Sequence, residues 1–94
     1  MTLSEETTEL LNAAAQAAAD ALAEDLVAID VTGVLPFSDA FLIVTADNPR
    51  HLSGVKSGIE DDVHEALGRS PRVEGDQNSE WLLLDYGDVA VHIF

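Results

Sequence analysis

The stretch Glu80-Trp81-Leu82-Leu83-Leu84-Asp85-Tyr86-Gly87-Asp88-Val89-Ala90-Val91-His92-Ile93-Phe94 decides the fold of this chain. It predicts two strands joined by a tight turn, because Val89, Val91 and Ile93 alternate with their neighbours at the period of a strand. The stretch also carries the only Trp and the only Tyr, with acidic residues beside both. A hairpin that groups Trp, Tyr, Asp and His indicates a docking surface rather than a hydrolytic centre.

The segments before the hairpin predict two helices and three further extended pieces. In chain order, these are a helix over residues 4–23, a strand over 26–31, an internal strand over 40–46 that is apolar on both faces, a helix over 49–67, an extended piece around Val73 and a polar loop over 75–79. This order predicts a single α/β domain, residues 1–94, with a mixed sheet packed against helices.

Each helix has a start signal and an apolar stripe. Ser4, or Thr2 with Glu5, can cap the first helix, and Asn48 before Pro49 is a good start for the second, which Gly68 ends. The expected buried stripes are Leu11, Ala15, Ala18 and Leu22, with Ala14 and Ala21 beside them, in the first helix, and Leu52, Val55, Ile59, Val63, Ala66 and Leu67 in the second.

The composition is strongly acidic, with 18 Asp and Glu against 4 Lys and Arg and a net charge of −14. Phosphate backbones and anionic membranes attract basic proteins, so direct contact with nucleic acid or a membrane is disfavoured. The charge suits a basic protein partner, or it serves solubility alone. The chain has no Cys, no apolar run long enough to span a bilayer and no basic segment typical of a signal peptide. We therefore expect a cytoplasmic protein.

Two patterns that could bind a metal or a phosphate have simpler explanations. Glu60 and His64 share one helix face, but no second His is placed to join them, so a solvated acidic face is favoured and no metal is expected. Arg50 and the start of the second helix could hold an anion, yet Asp47 would repel it and the turn lacks glycine. We expect no cofactor.

Catalytic patterns are also weak. Phosphoryl transfer with two metals requires paired carboxylates on one strand, whereas Asp85 and Asp88 are separated by the turn and are expected to form a turn and rim pair. Ser38, Asp39 and His92 could form a triad only if the fold happened to bring them together. Binding is the remaining function class. Trp81 is either a core residue or a contact residue ringed by the negative charges of the hairpin.

Five segments together resemble the ribosomal silencing factor family, also called the Iojap-related proteins. They are Val27-Ala28-Ile29-Asp30-Val31 followed by Gly33, then Phe37-Ser38-Asp39-Ala40-Phe41-Leu42-Ile43-Val44, Arg50-His51-Leu52, Val73-Glu74-Gly75 and the run from Trp81 to Ile93. The run that begins at Trp81 carries the most recognisable part of the resemblance.

The resemblance implies a fold related to nucleotidyltransferases without their catalytic carboxylates, and hence no enzymatic activity. It also implies binding to the large ribosomal subunit through its large-subunit protein fourteen, little contact with nucleic acid, and a steric block to joining of the small subunit that lowers translation in nutrient limitation or stationary phase. Homodimer formation by the free protein stays open.

The chain departs from the family pattern in two places. The family's helical C-terminal tail has no counterpart after Phe94, so we expect the packing supplied by that tail to be missing. Residues 44–49 differ from the family's small polar residues before the second helix. This difference leaves the local geometry of the helix start open.

We expect the partner-binding residues to lie on and near the hairpin. They are Ser38, Asp39, Arg50, His51, Glu80, Trp81, Asp85, Tyr86, Asp88 and His92. Two alternatives remain: an acidic interaction or dimerisation module for another basic protein, and an enzyme of nucleotidyltransferase type, which the missing carboxylate pair disfavours.

Overall fold

The computed structural model describes residues 3–76, 78 and 80–94. In chain order the elements are α1 (Glu5–Asp20), β1 (Glu24–Asp30), β2 (Ala40–Thr45), α2 (Pro49–Leu67), β3 (Arg72–Glu74), β4 (Leu82–Asp85) and β5 (Val89–Ile93). Neither helix in this described part is long and apolar enough to cross a bilayer. Two residues of the predicted polar loop, Gln77 and Ser79, and the alternative cap residue Thr2 lie outside the described residues.

The five strands form one sheet in the order β1-β2-β5-β4-β3. β2 runs parallel to β5, and the other neighbours are antiparallel. The predicted mixed sheet with packed helices is therefore confirmed, as is the internal position of β2. The hairpin of β4 and β5 forms as expected, with β5 in the middle of the sheet.

Both helices pack on one face of the sheet. The core contains Leu10, Ala14, Ala17 and Ala18 of α1, Leu52, Val55, Ile59 and Val63 of α2, and the inward residues Ala40, Leu42, Val44, Leu82, Leu84, Val89, Val91 and Ile93 of the strands. The small alanines let α1 approach its neighbours closely, and α1 contacts α2 as well as the sheet.

Local chemistry sets the helix ends. Ser4 Oγ accepts a hydrogen bond from Thr7 N over 3.1 Å, and Asn48 Oδ1 accepts one from His51 N over 2.8 Å, so both predicted caps are confirmed. Gly68 closes α2 with a left-handed φ of 67°. That conformation favours glycine because it has no Cβ.

The predicted stripe of α1 is only partly correct. Ala18 and the adjacent Ala14 are buried as expected, but Leu11 and Ala15 are only half-buried. Leu22 is 77% exposed and lies beyond the end of the helix at Asp20. Alanines occupy several faces of this helix, so its sequence has little contrast between buried and exposed positions. In α2, Ala66 is also exposed, contrary to its predicted place in the stripe.

Candidate docking surface

The face of the sheet opposite the helices is lined by apolar side chains. Strand alternation places Phe41 and Ile43 of β2 on this face, where they are half-buried, while the intervening Leu42 is buried under the helices. The register puts Val27 beside Ile43 and Ile29 beside Phe41. We call the set Val27, Ile29, Phe41, Ile43, Trp81, Leu83, His92 and Phe94 the open sheet face. Within the described residues, no helix covers it.

Aromatic rings cluster around His92 on the open sheet face. The imidazole centroid lies 4.9 Å from the ring of Phe41, 5.9 Å from that of Trp81 and 6.5 Å from that of Phe94. The Phe41 contact is edge-to-face and the Phe94 ring is nearly parallel to the imidazole. Large, stiff rings of this kind supply much contact area at low entropic cost, so they suit a binding surface.

A hydrogen bond fixes the geometry of this cluster. Trp81 Nε1 donates to His92 Nδ1 over 3.1 Å. His92 Nε2 is buried and has no hydrogen-bond partner within the described part of the chain. Burial lowers the pKa of His92, since a charged imidazolium would lose its solvation there. The imidazole is therefore held neutral at physiological pH.

Acidic residues border the open sheet face along the side of β3 and β4. Arg72 Nη2 lies 3.2 Å from Asp85 Oδ2 and 3.9 Å from Glu74 Oε1. Glu80 lies exposed just before Trp81. Asp85 also accepts a hydrogen bond from Gly87 N over 2.8 Å, which confirms its turn role. The border is thus net negative beside an apolar centre.

Asp88 connects the hairpin turn to α1 and to Arg69, which lies just after the end of α2. Its carboxylate accepts from Arg69 at 2.7 and 3.3 Å and from Thr7 Oγ1 at 2.8 Å. Burial alone would raise the pKa of Asp88, but the hydrogen bonds from Arg69 and Thr7 outweigh it and lower the pKa. The same bond raises the pKa of Arg69. Asp88 is therefore a structural link at the hairpin turn, and its side chain is still 21% exposed there.

Three more predicted contact residues support the same end of the sheet. Tyr86 is only 7% exposed, and burial, followed by the charge of Glu60, raises its pKa to about 12. Ser38 Oγ donates to Gly87 O over 3.4 Å, and Asp39 N donates to Asp88 O over 2.8 Å. These bonds attach the β1–β2 loop to the hairpin turn.

Arg50 and His51 lie at the opposite end, where α2 begins. His51 Nδ1 accepts from Asp47 N over 2.9 Å, so Nε2 carries the hydrogen and donates to Ala21 O over 2.7 Å. His51 thereby ties the start of α2 to the end of α1. Arg50 is exposed beside it.

The structure separates the ten predicted contact residues into two groups. Ser38, Asp39, Asp85, Tyr86 and Asp88 lie near the hairpin turn, whereas Arg50, His51, Glu80, Trp81 and His92 lie toward the other end of β5. Their contact with a partner stays a prediction. The aliphatic side chains and the Phe rings of the open sheet face are not among the residues predicted from sequence. Their sequence signal is the apolar character of β2 on both faces, which is equally typical of an internal strand.

No cluster of three or more His, Asp or Glu side chains suited to a metal ion occurs in residues 3–76, 78 and 80–94. At the start of α2, the Asn48 side chain already occupies the backbone N–H of His51. The open sheet face itself offers apolar contact area beside negative charge, which are means of recognition.

The sequence of this chain is similar to a known protein family and to characterised relatives. A family model described as "Ribosomal silencing factor during starvation" matches residues 4–94. Ribosomal silencing factor RsfS of Bacillus subtilis is 34% identical over 85 residues, which are 90% of this chain and 72% of that protein. RsfS of Halalkalibacterium halodurans is 33% identical over 86 residues, 92% of this chain and 74% of that protein.

Solved structures share the fold. A crystal structure of a Chromobacterium violaceum protein matches with a TM-score of 0.87 at 25% identity, covering 93% of this chain and 72% of that one. A Bacillus halodurans protein matches with a TM-score of 0.82 at 33% identity, covering 93% and 81%.

Proposed function

Because the chain belongs to the RsfS family of ribosomal silencing factors, we propose that it binds the large ribosomal subunit and sterically blocks joining of the small subunit. The proposed contact is the open sheet face, and the proposed partner is large-subunit protein fourteen. The observation that carries this proposal is an aromatic, apolar sheet face on a chain of net charge −14.

The two properties of the surface have separate roles. The rings around His92 supply apolar area that a partner would remove from water, at roughly 25 cal/mol per Å². The acidic border and the overall charge attract a basic protein surface and repel the RNA phosphates around it. A basic ribosomal protein is therefore a better partner than the RNA itself.

The proposed inhibition requires no chemical step. A folded domain bound at the intersubunit surface occupies space that the small subunit needs, so bound protein and joined ribosomes exclude each other. The protein then acts as a non-enzymatic repressor of translation in the cytoplasm. Its effect follows its concentration and its affinity, as for any competitor.

A reassociation experiment tests the proposal. Purified protein is mixed with separated ribosomal subunits, the magnesium concentration is raised to promote joining, and the products are resolved on a sucrose gradient. We expect the protein to sediment with the large subunit and the joined-ribosome peak to fall as the protein is added. Sedimentation with neither subunit, together with an unchanged joined peak, would contradict the proposal and favour an interaction module for another basic protein.

Substitution of Trp81 locates the contact. Truncation of a central aromatic contact typically costs 2 kcal/mol or more, so we expect Trp81→Ala to bind the large subunit about thirtyfold more weakly. Phe37→Ala is the matched control, because Phe37 is 87% exposed in the loop before β2 and does not belong to the open sheet face. Equal loss in both variants would show that exposed aromatic area in general, and not this face, drives binding.

A further inference from the structure

The direction of the hydrogen bond between Trp81 and His92 is fixed by chemistry. The indole N–H can only donate, so His92 Nδ1 must accept, over 3.1 Å. An imidazole nitrogen accepts only when it carries no hydrogen, so the bond requires neutral His92 with its hydrogen on Nε2. Protonation of His92 would place a hydrogen on Nδ1 facing the indole N–H, and the bond would be lost.

In the part of the chain that the structure describes, the side chains packed around His92 offer no charge to compensate an imidazolium. β2 presents Phe41 and Ile43 next to it, and β4 presents Trp81 and Leu83. On β5 itself, the neighbours on this face are Ala90 and Phe94. Both nitrogens are thus surrounded by apolar or donor groups.

Charged side chains also lie on the open sheet face, but none of them is a direct strand partner of His92. The register places Glu24 of β1 opposite Thr45, Glu74 of β3 opposite Leu83, and Asp85 of β4 opposite both Ala90 and Arg72. Arg72 lies within 4 Å of Glu74 and Asp85. Burial, and none of these charges, is what lowers the pKa of His92.

We propose that neutral His92 positions the Trp81 indole on the open sheet face for docking, and that protonation of His92 releases the indole and weakens docking. This role rests on the proposed function, because both residues belong to the proposed contact. An imidazolium would also repel the basic partner that the acidic chain attracts. His92 is thus a positioning residue that makes docking depend on pH.

The sign of the effect follows from the direction of the pKa shift. Neutral His92 is the docking form, so the affinity is highest at neutral pH. It declines as the pH falls through the pKa of His92, which is lowered below the ordinary value of about 6.5. One proton linked to dissociation weakens binding by up to about tenfold per pH unit below that pKa.

Two variants separate the positioning bond from other effects of pH. In His92→Asn, the amide oxygen can take the place of Nδ1 as an acceptor and does not titrate. In His92→Phe the acceptor is absent at every pH. Circular dichroism and thermal unfolding of each variant establish that it is folded, and the three proteins differ in no ionisable side chain other than His92.

The first measurement uses the free protein. Because Trp81 is the only Trp, its indole N–H gives one resonance, which NMR can follow from pH 7.5 to pH 5. We expect this resonance to shift with the titration of the His92 ring in the wild type and to stay constant in His92→Asn. An indole resonance that does not respond to the titration of His92 overturns the proposal.

The second measurement is binding to isolated large ribosomal subunits over the same pH range. We expect wild-type affinity to fall with acidification, His92→Asn to retain most of its affinity, and His92→Phe to bind weakly throughout. Equal pH dependence of the wild type and His92→Asn, or full affinity of His92→Phe, overturns the proposal. If no protein binds at any pH while the indole resonance still follows His92, the proposed function fails, and the link to docking fails with it.

Discussion

Asp88 shows how one side chain can hold together distant parts of a small domain. Its carboxylate accepts hydrogen bonds from Arg69, just after α2, and from Thr7 of α1. Its backbone carbonyl accepts hydrogen bonds from the N–H groups of Asp39 and Ala40. Arg69 in turn donates to Tyr86 O over 2.5 Å. The end of the sheet beside the turn is therefore rigidly joined to the helical layer.

We expect Asp88→Asn to lower the free energy of unfolding by about 2 kcal/mol at pH 7, because charged hydrogen bonds to Arg69 are lost. The pKa of Asp88 is lowered in the folded state, so its stabilisation is present above the unfolded-state pKa near 3.9 and is lost as the pH falls through the folded-state pKa. Urea unfolding of the wild type and of Asp88→Asn at pH 7 and at pH 2 measures the difference in their free energies of unfolding at each pH. The difference between wild type and variant should shrink at pH 2.

Asp61→Asn provides the control for this prediction. Asp61 is exposed on α2, and its substitution should change the unfolding free energy by less than about 0.5 kcal/mol. Equal stability of wild type and Asp88→Asn at pH 7 would contradict the structural role of the carboxylate.

Substitution of Tyr86, unlike that of Asp88, is not expected to lower the stability of the protein. Its hydroxyl is buried and finds no hydrogen-bond partner within the described residues, and a buried unsatisfied group costs about 1–3 kcal/mol. We expect Tyr86→Phe to match or exceed the wild type in thermal stability and to leave large-subunit binding unchanged. A loss of more than about 1 kcal/mol would indicate a hydrogen bond to this hydroxyl, and weaker binding would support Tyr86 as a contact.

At the scale of elements, one glycine inside α2 and the glycine that follows its last residue have opposite conformational requirements. Gly54 lies in the exposed interior of the helix, and a Cβ there would meet nothing within 4 Å. Gly68 ends the helix with φ 67°, where a Cβ also has space but the backbone conformation disfavours it.

We expect Gly54→Ala to raise the unfolding free energy by about 0.5–1 kcal/mol and Gly68→Ala to lower it by about 1 kcal/mol. Thermal or urea unfolding of the two variants measures the difference, and each serves as the control for the other. Changes of the same sign in both would contradict the assigned helix boundary.

The elements also show what sequence could and could not predict. Asn48-Pro49 and Gly68 bound α2 through local chemistry, so these ends could be predicted. The stripe of α1 could be predicted only in part, because alanine-rich faces differ little in hydrophobicity and the choice of face depends on tertiary packing. The outward residues of β2, Phe41 and Ile43, are apolar like the inward ones. Only the placement of both helices on one face distinguishes them.

At the scale of the whole molecule, the basic residues do little to offset the acidity. Lys56, Arg69 and Arg72, three of the four basic side chains, pair with carboxylates in the described structure. The remaining field is strongly negative, and at physiological salt it extends about 8 Å. A single added charge therefore changes binding mainly where it touches the partner, which makes a comparison of positions informative.

The most direct test of the account compares one added lysine at two positions. Ile29→Lys places it on the open sheet face at a site that is 40% exposed, and Ala66→Lys places it on the exposed side of α2. Both variants have the same net charge, so long-range attraction is equal. Binding to isolated large ribosomal subunits is measured at one salt concentration, after circular dichroism shows that both variants are folded. We expect Ile29→Lys to bind about tenfold more weakly or worse, because a like charge would meet the proposed basic partner, and Ala66→Lys to bind as the wild type does. Unchanged binding of Ile29→Lys, or equal loss in both variants, would contradict docking through the open sheet face.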